Sequence, residues 1–249
     1  MKYRFIFALF LVLSTACKKA WFEIRSDKKI TVPTTVEDLQ ALLDNPLMNN
    51  MNNGLQALNE IGADNYYLEN TTFQTLQNNI RYQTNAYLFA PDIFEGALNV
   101  NVWNLPYQRI YYANVVLDEL EHIPAADQQV WNNTKGGALF LRAYNHALLA
   151  EMFQKPYRAG SAAIDPGIPL RLHSDFNERT VRPTIQKVFD QIREDLQQAL
   201  LLLPATAPYP TRPSQAAAYA LLAREALITG DYEHARLFAS QCLQRYSAL

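Results

Sequence analysis

The fold is decided by residues 214–246, which read SQAAAYALLAREALITGDYEHARLFASQCLQRY. Small and apolar residues recur at helical spacing in both halves of this stretch: Tyr219, Leu222, Ala223, Ala226, Ala235, Ala239 and Cys242. Gly230-Asp231 separates the halves, and a glycine at that point can end the first helix in a left-handed conformation. This spacing, with the run Gly-Asp-Tyr-Glu-x-Ala at 230–235, predicts a tetratricopeptide-like pair of helices over about 214–229 and 232–246. An ordinary helical hairpin is the alternative interpretation.

The rest of the chain also follows helical periodicity, and no stretch shows the strict alternation that is typical of a strand. Apolar stripes predict helices over about 103–122, 136–153 and 185–203, of which the first two would form an earlier hairpin. The sequence therefore predicts an all-α protein, built from tetratricopeptide-like helical hairpins with irregular loop insertions.

Local signals refine this prediction at three places. Pro33-Thr34-Thr35 opens a helix in which Thr35 is the expected cap and Asp38 the reciprocal acid of a capping box. Residues 47–100 are rich in Asn and Tyr, which favours loops with short helices. Gly136-Gly137 is expected to form a turn before the helix that follows.

The N-terminus has the layout of a secretory signal peptide. Lys2 and Arg4 give a basic start, residues 5–13 are apolar, and small residues precede Cys17. The apolar run is too short to span a bilayer, which needs roughly 20 residues. We therefore predict a lipoprotein signal peptide over residues 1–16, cleavage before Cys17, lipidation of that cysteine (palmitate), and a tether over residues 17–33. A plain signal peptide followed by an unrelated cysteine is the alternative.

The charge of the chain limits which partners are expected, and its cysteine content limits which disulfides can form. The formal net charge is −2 and there is no long basic run, so nucleic acid is not an expected partner. The other cysteine is Cys242, so lipidation of Cys17 leaves no intramolecular disulfide. Because Cys242 lies in an apolar helical pattern, we expect it to be a small buried side chain.

No catalytic motif stands out in the sequence. None of the four histidines has a second His or Cys at the spacing of metal ligands, and Gly-x-Ser-x-Gly and phosphate-binding glycine motifs are absent from the sequence. The acidic clusters Asp118-Glu119-Glu121 and Glu194-Asp195 are expected on solvated helix faces. We predict a protein that is not an enzyme and has no cofactor and no metal site. A glycosidase, which needs only two well-placed carboxylates, remains an alternative.

Five stretches together resemble the SusD/RagB family, the glycan-binding outer-membrane lipoproteins of Bacteroidetes. They are residues 32–45; Trp103 with Tyr107, Ile110 and Ala113-Asn114-Val115; residues 138–144 with Lys155-Pro156-Tyr157 and Gly167-Ile168-Pro169-Leu170; Arg182 and Thr184 with Val188, Ile192 and Asp195-Leu196; and residues 211–214 with Ala216-Ala217 and Gly230-Asp231-Tyr232. Their order and spacing cover nearly all of the chain after Cys17.

This resemblance implies a surface-exposed lipoprotein of the outer membrane. Such a protein would lie over a SusC-like TonB-dependent β-barrel transporter and capture oligosaccharides or another nutrient for uptake, without breaking a bond. The SusD-like helical domain would occupy residues 34–249. Family members are about twice as long, so the C-terminal half of the family is expected to be missing. The alternative is an envelope scaffold or truncated remnant that docks a membrane partner without binding glycan.

The irregular segment before residue 100 is the expected place for ligand contacts. Asp64, Asn65, Tyr66 and Tyr67 combine flat rings with short polar groups, and Tyr87 and Trp103 are weaker candidates. The alternative is that these aromatic residues fill the helical scaffold. The position of Trp103 favours this alternative, because Trp103 begins an apolar helical pattern. Arg142, in the most specific of the matching stretches, is expected to make a structural hydrogen bond or ion pair.

Substitution of the predicted lipidation site tests the anchor. We expect Cys17→Ala to move the protein from the membrane fraction to the soluble fraction, because the acyl chains would be lost. Immunoblots of separated fractions measure the shift, and persistence of the variant in the membrane fraction would contradict the assignment.

Overall fold

A computed structural model describes residues 33–46, 57–63, 65–96 and 101–246. Within these ranges the chain is helical, and its extended segments pair only at one antiparallel bridge between Pro166 and Thr184. The helices are α1 (Val36–Leu43), α2 (Ala57–Ile61), α3 (Asn70–Asn79), α4 (Arg81–Tyr87), α5 (Asn101–Glu119), α6 (Gln128–Phe153), α7 (Ile185–Leu202), α8 (Gln215–Ile228) and α9 (Tyr232–Arg245). The predicted all-α class is confirmed. None of these helices is long and apolar enough to cross a membrane.

Helix α6 is the centre of the packing, since it contacts α5, α7 and α1. From Thr35 onward the described residues belong to one compact unit. Its largest core cluster combines side chains from α5, α6, α7, α8 and the loop before α7: Ile110, Ala143, Ala147, Leu149, Ile168, Val188, Ile192, Leu196 and Leu222. Small alanines on α6 leave room for the branched side chains of its neighbours, so the helices pack without large voids.

The capping box of α1 forms as predicted. The Asp38 N–H donates to Thr35 Oγ1 and the Thr35 N–H donates to Asp38 Oδ2, both at 3.1 Å. Val36, Leu39 and Leu43 are buried in a second cluster with residues of α5 and α6. The cap therefore orients the start of α1 so that its apolar stripe meets the two long helices.

The expected turn at Gly136-Gly137 is wrong, because both residues are buried inside α6. The helix begins eight residues earlier than predicted, at Gln128, where Asp127 Oδ1 accepts hydrogen bonds from the backbone of Gln129 and Val130. A Cβ at Gly136 would lie 3.0 Å from Leu202 Cβ. The glycine therefore lets α6 approach the end of α7, a contact that local sequence rules do not reveal.

The tetratricopeptide-like hairpin is confirmed as α8 and α9. Gly230 has φ +79°, and the N–H of Asp231 donates to the Ala226 carbonyl at 2.8 Å, which closes the end of α8. The expected burial of Cys242 is wrong, since its side chain is only partly buried. Its helix, α9, has no fully buried residue, because α9 packs mainly against α8.

Arg142 and Asp195 form a buried ion pair between α6 and α7. Arg142 Nε and Nη2 donate to the two carboxylate oxygens of Asp195 at 2.8 and 2.7 Å. The structural role expected of Arg142 is thus confirmed, whereas the solvated position expected for Asp195 is wrong, since only 1% of that residue is exposed. Asp195 lies on the apolar stripe of α7, where the partner contributed by α6 compensates for its burial.

Glu225, on α8, is a second buried acid, and its surroundings differ from those of Asp195. It is 3% exposed, and within the described part of the chain neither carboxylate oxygen has a hydrogen-bond partner. Burial, together with the negative charge of Glu151, raises the pKa of Glu225 to about 8, against the opposing effect of Arg224 and Arg193. The group therefore holds its proton at neutral pH in the folded protein.

We expect loss of one member of the Arg142–Asp195 pair to be strongly destabilising. Arg142→Met leaves a buried carboxylate without its cation and should lower the free energy of unfolding by about 3–5 kcal/mol. Adding Asp195→Leu should restore a large part of this loss, because the uncompensated charge is removed. Urea denaturation followed by circular dichroism measures both effects.

The Arg212–Asp44 pair provides the matched control. It has the same two-bond geometry, at 2.9 and 2.6 Å, but both side chains are about a third exposed. Arg212→Met should therefore cost only about 1 kcal/mol or less. Equal losses of unfolding free energy in Arg142→Met and Arg212→Met would show that burial does not determine how much the Arg142–Asp195 pair contributes to stability.

Glu225 should make stability depend on pH. Because its pKa is higher in the folded than in the unfolded chain, it does not weaken folding below the ordinary value of 4.5, and stability is lost progressively as pH rises from there to about 8. The slope across this window is about 1.4 kcal/mol per pH unit for one such group. Glu225→Gln should flatten the curve and raise stability at pH 8, whereas Glu233→Gln, at an exposed position on α9, should not. Urea titrations at several pH values measure the slope, and an unchanged slope in Glu225→Gln would refute the assignment.

Candidate ligand-binding groove

The structure separates the predicted ligand contacts into two places. Tyr66 and Tyr87 belong to one aromatic cluster, with ring centroids 5.9 Å apart, and Phe73 joins it at 6.3 Å from Tyr87. Trp103 lies in another cluster, on α5. Cys17 and Asp64 are outside the described residues, so both remain predictions.

In the first cluster, the tyrosine hydroxyls form hydrogen bonds with the backbone of neighbouring residues. The Tyr87 hydroxyl accepts a hydrogen bond from the Leu68 N–H at 3.2 Å, and the Tyr66 hydroxyl donates to the Ile61 carbonyl at 3.0 Å. Tyr67 is 81% exposed, and Asn65 is exposed beside it. The segment thus offers one free ring and one short amide to a ligand.

Trp103 begins a row of aromatic residues along one face of α5. Tyr107 and Tyr111 follow at intervals of four residues, which places all three on the same side of the helix. The Trp103 and Tyr107 centroids are 5.0 Å apart, and Phe153 packs edge-on against Trp103 at 4.9 Å. Trp103 is half-buried against the core, so one part of it is structural, as the alternative interpretation expected, while another part reaches the surface.

This row forms one wall of a groove, which we call the aromatic groove. Its volume is about 350 Å³, and the opposite wall is the loop between the bridge at Pro166 and α7. The lining residues are Trp103, Tyr107, Tyr111, Asn114, Pro169, Arg171, His173, Phe176 and Thr180. The Phe176 ring is 77% exposed and lies 4.6 Å from the Tyr111 ring. Flat apolar surfaces therefore meet polar groups in an open concavity.

Hydrogen bonds from the helices hold the loop against α5. The Tyr107 hydroxyl donates to the Pro169 carbonyl at 2.8 Å. The Asn114 amide donates to the carbonyls of Arg171 and His173, at 3.0 and 3.1 Å. The loop backbone is thus fixed by two side chains of α5, and the Arg171 and His173 side chains line the groove.

Burial raises the pKa of the Tyr107 phenol, and the positive charges of Arg182 and Arg171 oppose that shift. The phenol therefore stays neutral and acts as a hydrogen-bond donor. His173 Nδ1 lies 3.5 Å from an Asp118 oxygen, and Asp118 also accepts hydrogen bonds from Ser174. In the described ranges, no cluster of three or more His, Cys, Asp or Glu side chains is arranged to hold a metal ion. The geometry suits binding through ring stacking and hydrogen bonds.

Sequence reasoning missed Tyr111, Arg171, His173 and Phe176. The four-residue spacing of Trp103, Tyr107 and Tyr111 is a signal that could have revealed the wall on α5. The loop residues have no such periodicity, because their position depends on contacts with distant helices. Residues 167–170 of this loop stood out in the sequence only because they resemble sequences of the family.

The chain matches the model of one known protein family. The model of the SusD-like family, described as starch-binding and associating with the outer membrane, matches residues 20–227. No curated protein sequence matches the chain.

Solved structures share the fold at low sequence identity. A SusD superfamily protein from Bacteroides vulgatus is 22% identical, with a TM-score of 0.66, and the match covers 85% of this chain and 47% of that one. A laminarin-binding SusD-like protein is 19% identical, with a TM-score of 0.66 and coverages of 85% and 44%. Surface glycan-binding protein A from Bacteroides fluxus is 16% identical, with a TM-score of 0.61 and coverages of 83% and 43%. The chain thus spans less than half the length of each of these three proteins.

Proposed function

We propose that this chain, which belongs to the SusD-like family of starch-binding proteins associated with the outer membrane, binds glycans in the aromatic groove. The observation that carries the proposal is an open groove of about 350 Å³ that is lined by the row Trp103, Tyr107 and Tyr111 and by Phe176, whose ring packs on Tyr111 at 4.6 Å. A groove of this size is within the usual range for small-ligand sites.

The chemistry of the lining fits sugar rings. Aromatic faces can stack on the apolar C–H faces of a pyranose, while donors and acceptors at the rim bind its hydroxyls. Arg171, His173 and Thr180 supply such polar groups beside the rings. The loop is held in place by Tyr107 and Asn114, so little ordering would be needed when a ligand binds.

The wider role that we propose is capture without catalysis. The protein would be held at the outer-membrane surface through lipidated Cys17 and would deliver oligosaccharides to a SusC-like TonB-dependent transporter. The family description and the signal-peptide pattern support this placement. The segment at Asp64, Asn65, Tyr66 and Tyr67 remains a second candidate contact, because Tyr67 is exposed.

A docking scaffold is the alternative function. Large apolar side chains are exposed on the hairpin of α8 and α9: Leu227, Tyr232, Leu237, Leu243 and Tyr246. Exposed apolar side chains of this kind can contact another protein. A scaffold of this kind would bind a membrane partner and leave glycans untouched.

Native affinity electrophoresis of the full chain in a neutral detergent distinguishes these functions. Gels would contain starch, laminarin or pectin, and we expect retardation by at least one of them. Tyr111→Ala/Phe176→Ala should abolish the retardation, with a loss of about tenfold or more in affinity, because both stacking surfaces are removed.

The matched control is Tyr66→Ala/Tyr67→Ala, which removes two aromatic rings from the other candidate segment. It should retain binding if the aromatic groove is the site, and selective loss in this variant would move the site to the N-terminal segment. Circular dichroism verifies that each variant is folded. A folded wild type that ignores every glycan supports the scaffold, and a shortened glycan chain after incubation would indicate an enzyme.

A further inference from the structure

Arg171 places a cation at the wall of the aromatic groove, and no carboxylate of the described residues pairs with it. Its Nη1 donates to the Glu178 carbonyl at 2.8 Å and to Thr180 Oγ1 at 3.2 Å, and its Nη2 donates to the Asp175 carbonyl at 2.6 Å. All three acceptors are neutral. They orient the guanidinium and leave its charge uncompensated.

The acids near Arg171 are engaged elsewhere or contribute only backbone atoms. Glu178 and Asp175 offer Arg171 their carbonyls, and the Asp175 carboxylate accepts hydrogen bonds from Asn177. Asp118 accepts two hydrogen bonds from Ser174 and pairs with His173. Among the residues that line the groove, none is an Asp or a Glu.

Arg182 adds a second cation close to the same wall. Its Nε donates to the Gly167 carbonyl at 2.7 Å and its Nη2 to the Pro166 carbonyl at 3.3 Å, so it also binds neutral acceptors. The charges of Arg182 and Arg171 both oppose the rise that burial causes in the pKa of the Tyr107 phenol, whose hydroxyl lies at the groove. Two separate arginines therefore give this wall a positive character.

We propose that the aromatic groove selects acidic glycans, with Arg171 binding an anionic substituent of the sugar. The inference deepens the proposed function and rests on it. A uronic acid carboxylate and a sulfate ester share the required chemistry, a negative charge with oxygens that accept hydrogen bonds from a guanidinium. In the described part of the chain, nothing accepts a hydrogen bond from Arg171 Nε, so this donor is available to such a group.

The geometry explains why the preference would be specific. The ring of the sugar would stack on the α5 aromatics, and its charged substituent would meet the opposite wall, where Arg171 is already oriented by three hydrogen bonds. A charge-assisted hydrogen bond is roughly twice as strong as a neutral one. A neutral glycan would keep the stacking contacts and lose this bond.

Matched ligand pairs test the inference directly. Isothermal titration of the full chain would compare oligogalacturonate with its methyl ester, and dextran sulfate with dextran. We expect the acidic member of at least one pair to bind about tenfold more tightly at low salt, and the preference to shrink as salt is added. The pair that shows the preference identifies carboxylate or sulfate as the recognised group.

Variants assign the preference to one residue. Arg171→Gln should reduce the preference to about twofold or less, while Arg171→Lys should keep a larger part of it because the charge remains. Arg179→Gln removes an exposed arginine from the same loop that does not line the groove, and it should leave the preference unchanged. If circular dichroism shows that Arg171→Gln is unfolded, the inference is tested instead by the preference that Arg171→Lys retains and by the salt dependence of wild-type binding.

Three results would overturn the inference. Equal or tighter binding of the neutral member in both pairs would refute charge selection and leave glycan binding standing. Equal loss of preference in Arg179→Gln and Arg171→Gln would assign the effect to the general charge of the loop. Absence of binding to all four probes would also overturn it, and with no retardation in the affinity gels the proposed function would fail as well.

Discussion

The ion pair between Arg142 and Asp195 is the interaction on which the arrangement of the helices depends. Two nitrogens of Arg142 bind Asp195 on α7, while its Nη1 binds Asn114 Oδ1 on α5 at 3.2 Å and the Leu172 carbonyl at 3.0 Å. A buried guanidinium is tolerated only when its charge and donors are met. Three helices and one loop therefore have to keep fixed positions around a single side chain.

The aromatic groove follows from this constraint. Asn114 receives a hydrogen bond from Arg142 through its oxygen, and its amide nitrogen binds the carbonyls of Arg171 and His173. The groove wall is thus connected to the core ion pair by two successive hydrogen bonds. Because these bonds use the backbone of the loop, they do not engage the side chains of Arg171 and His173, which line the groove. An irregular loop can in this way be as well ordered as the helix opposite it.

The predictable parts of the structure are those fixed by short-range chemistry. Thr35 and Asp38 are three residues apart, and Gly230 ends α8 through bonds to its own last turn, so sequence alone revealed both. The position of Asp195 depends on Arg142, 53 residues away, and Gly136 is required by Leu202 on another helix. Likewise, Trp103 was identified from its residue type, whereas Arg171 and Phe176 become site residues only when the loop folds back onto α5. Long-range contacts of this kind leave no periodic pattern in the chain.

Two buried carboxyl groups are accommodated in different ways. Two nitrogens of Arg142 bind the carboxylate of Asp195. The buried carboxyl of Glu225 has no hydrogen-bond partner among the described residues, and its pKa is affected by the charges of Glu151 of α6 and Arg193 of α7, so rising pH acts where α8 meets these helices. The groove wall is attached to Arg142 and Asn114 instead. Because the two networks share no hydrogen bond that we observe among the described residues, ionisation of Glu225 should weaken the packing of α8 without directly breaking the hydrogen bonds that hold the groove wall.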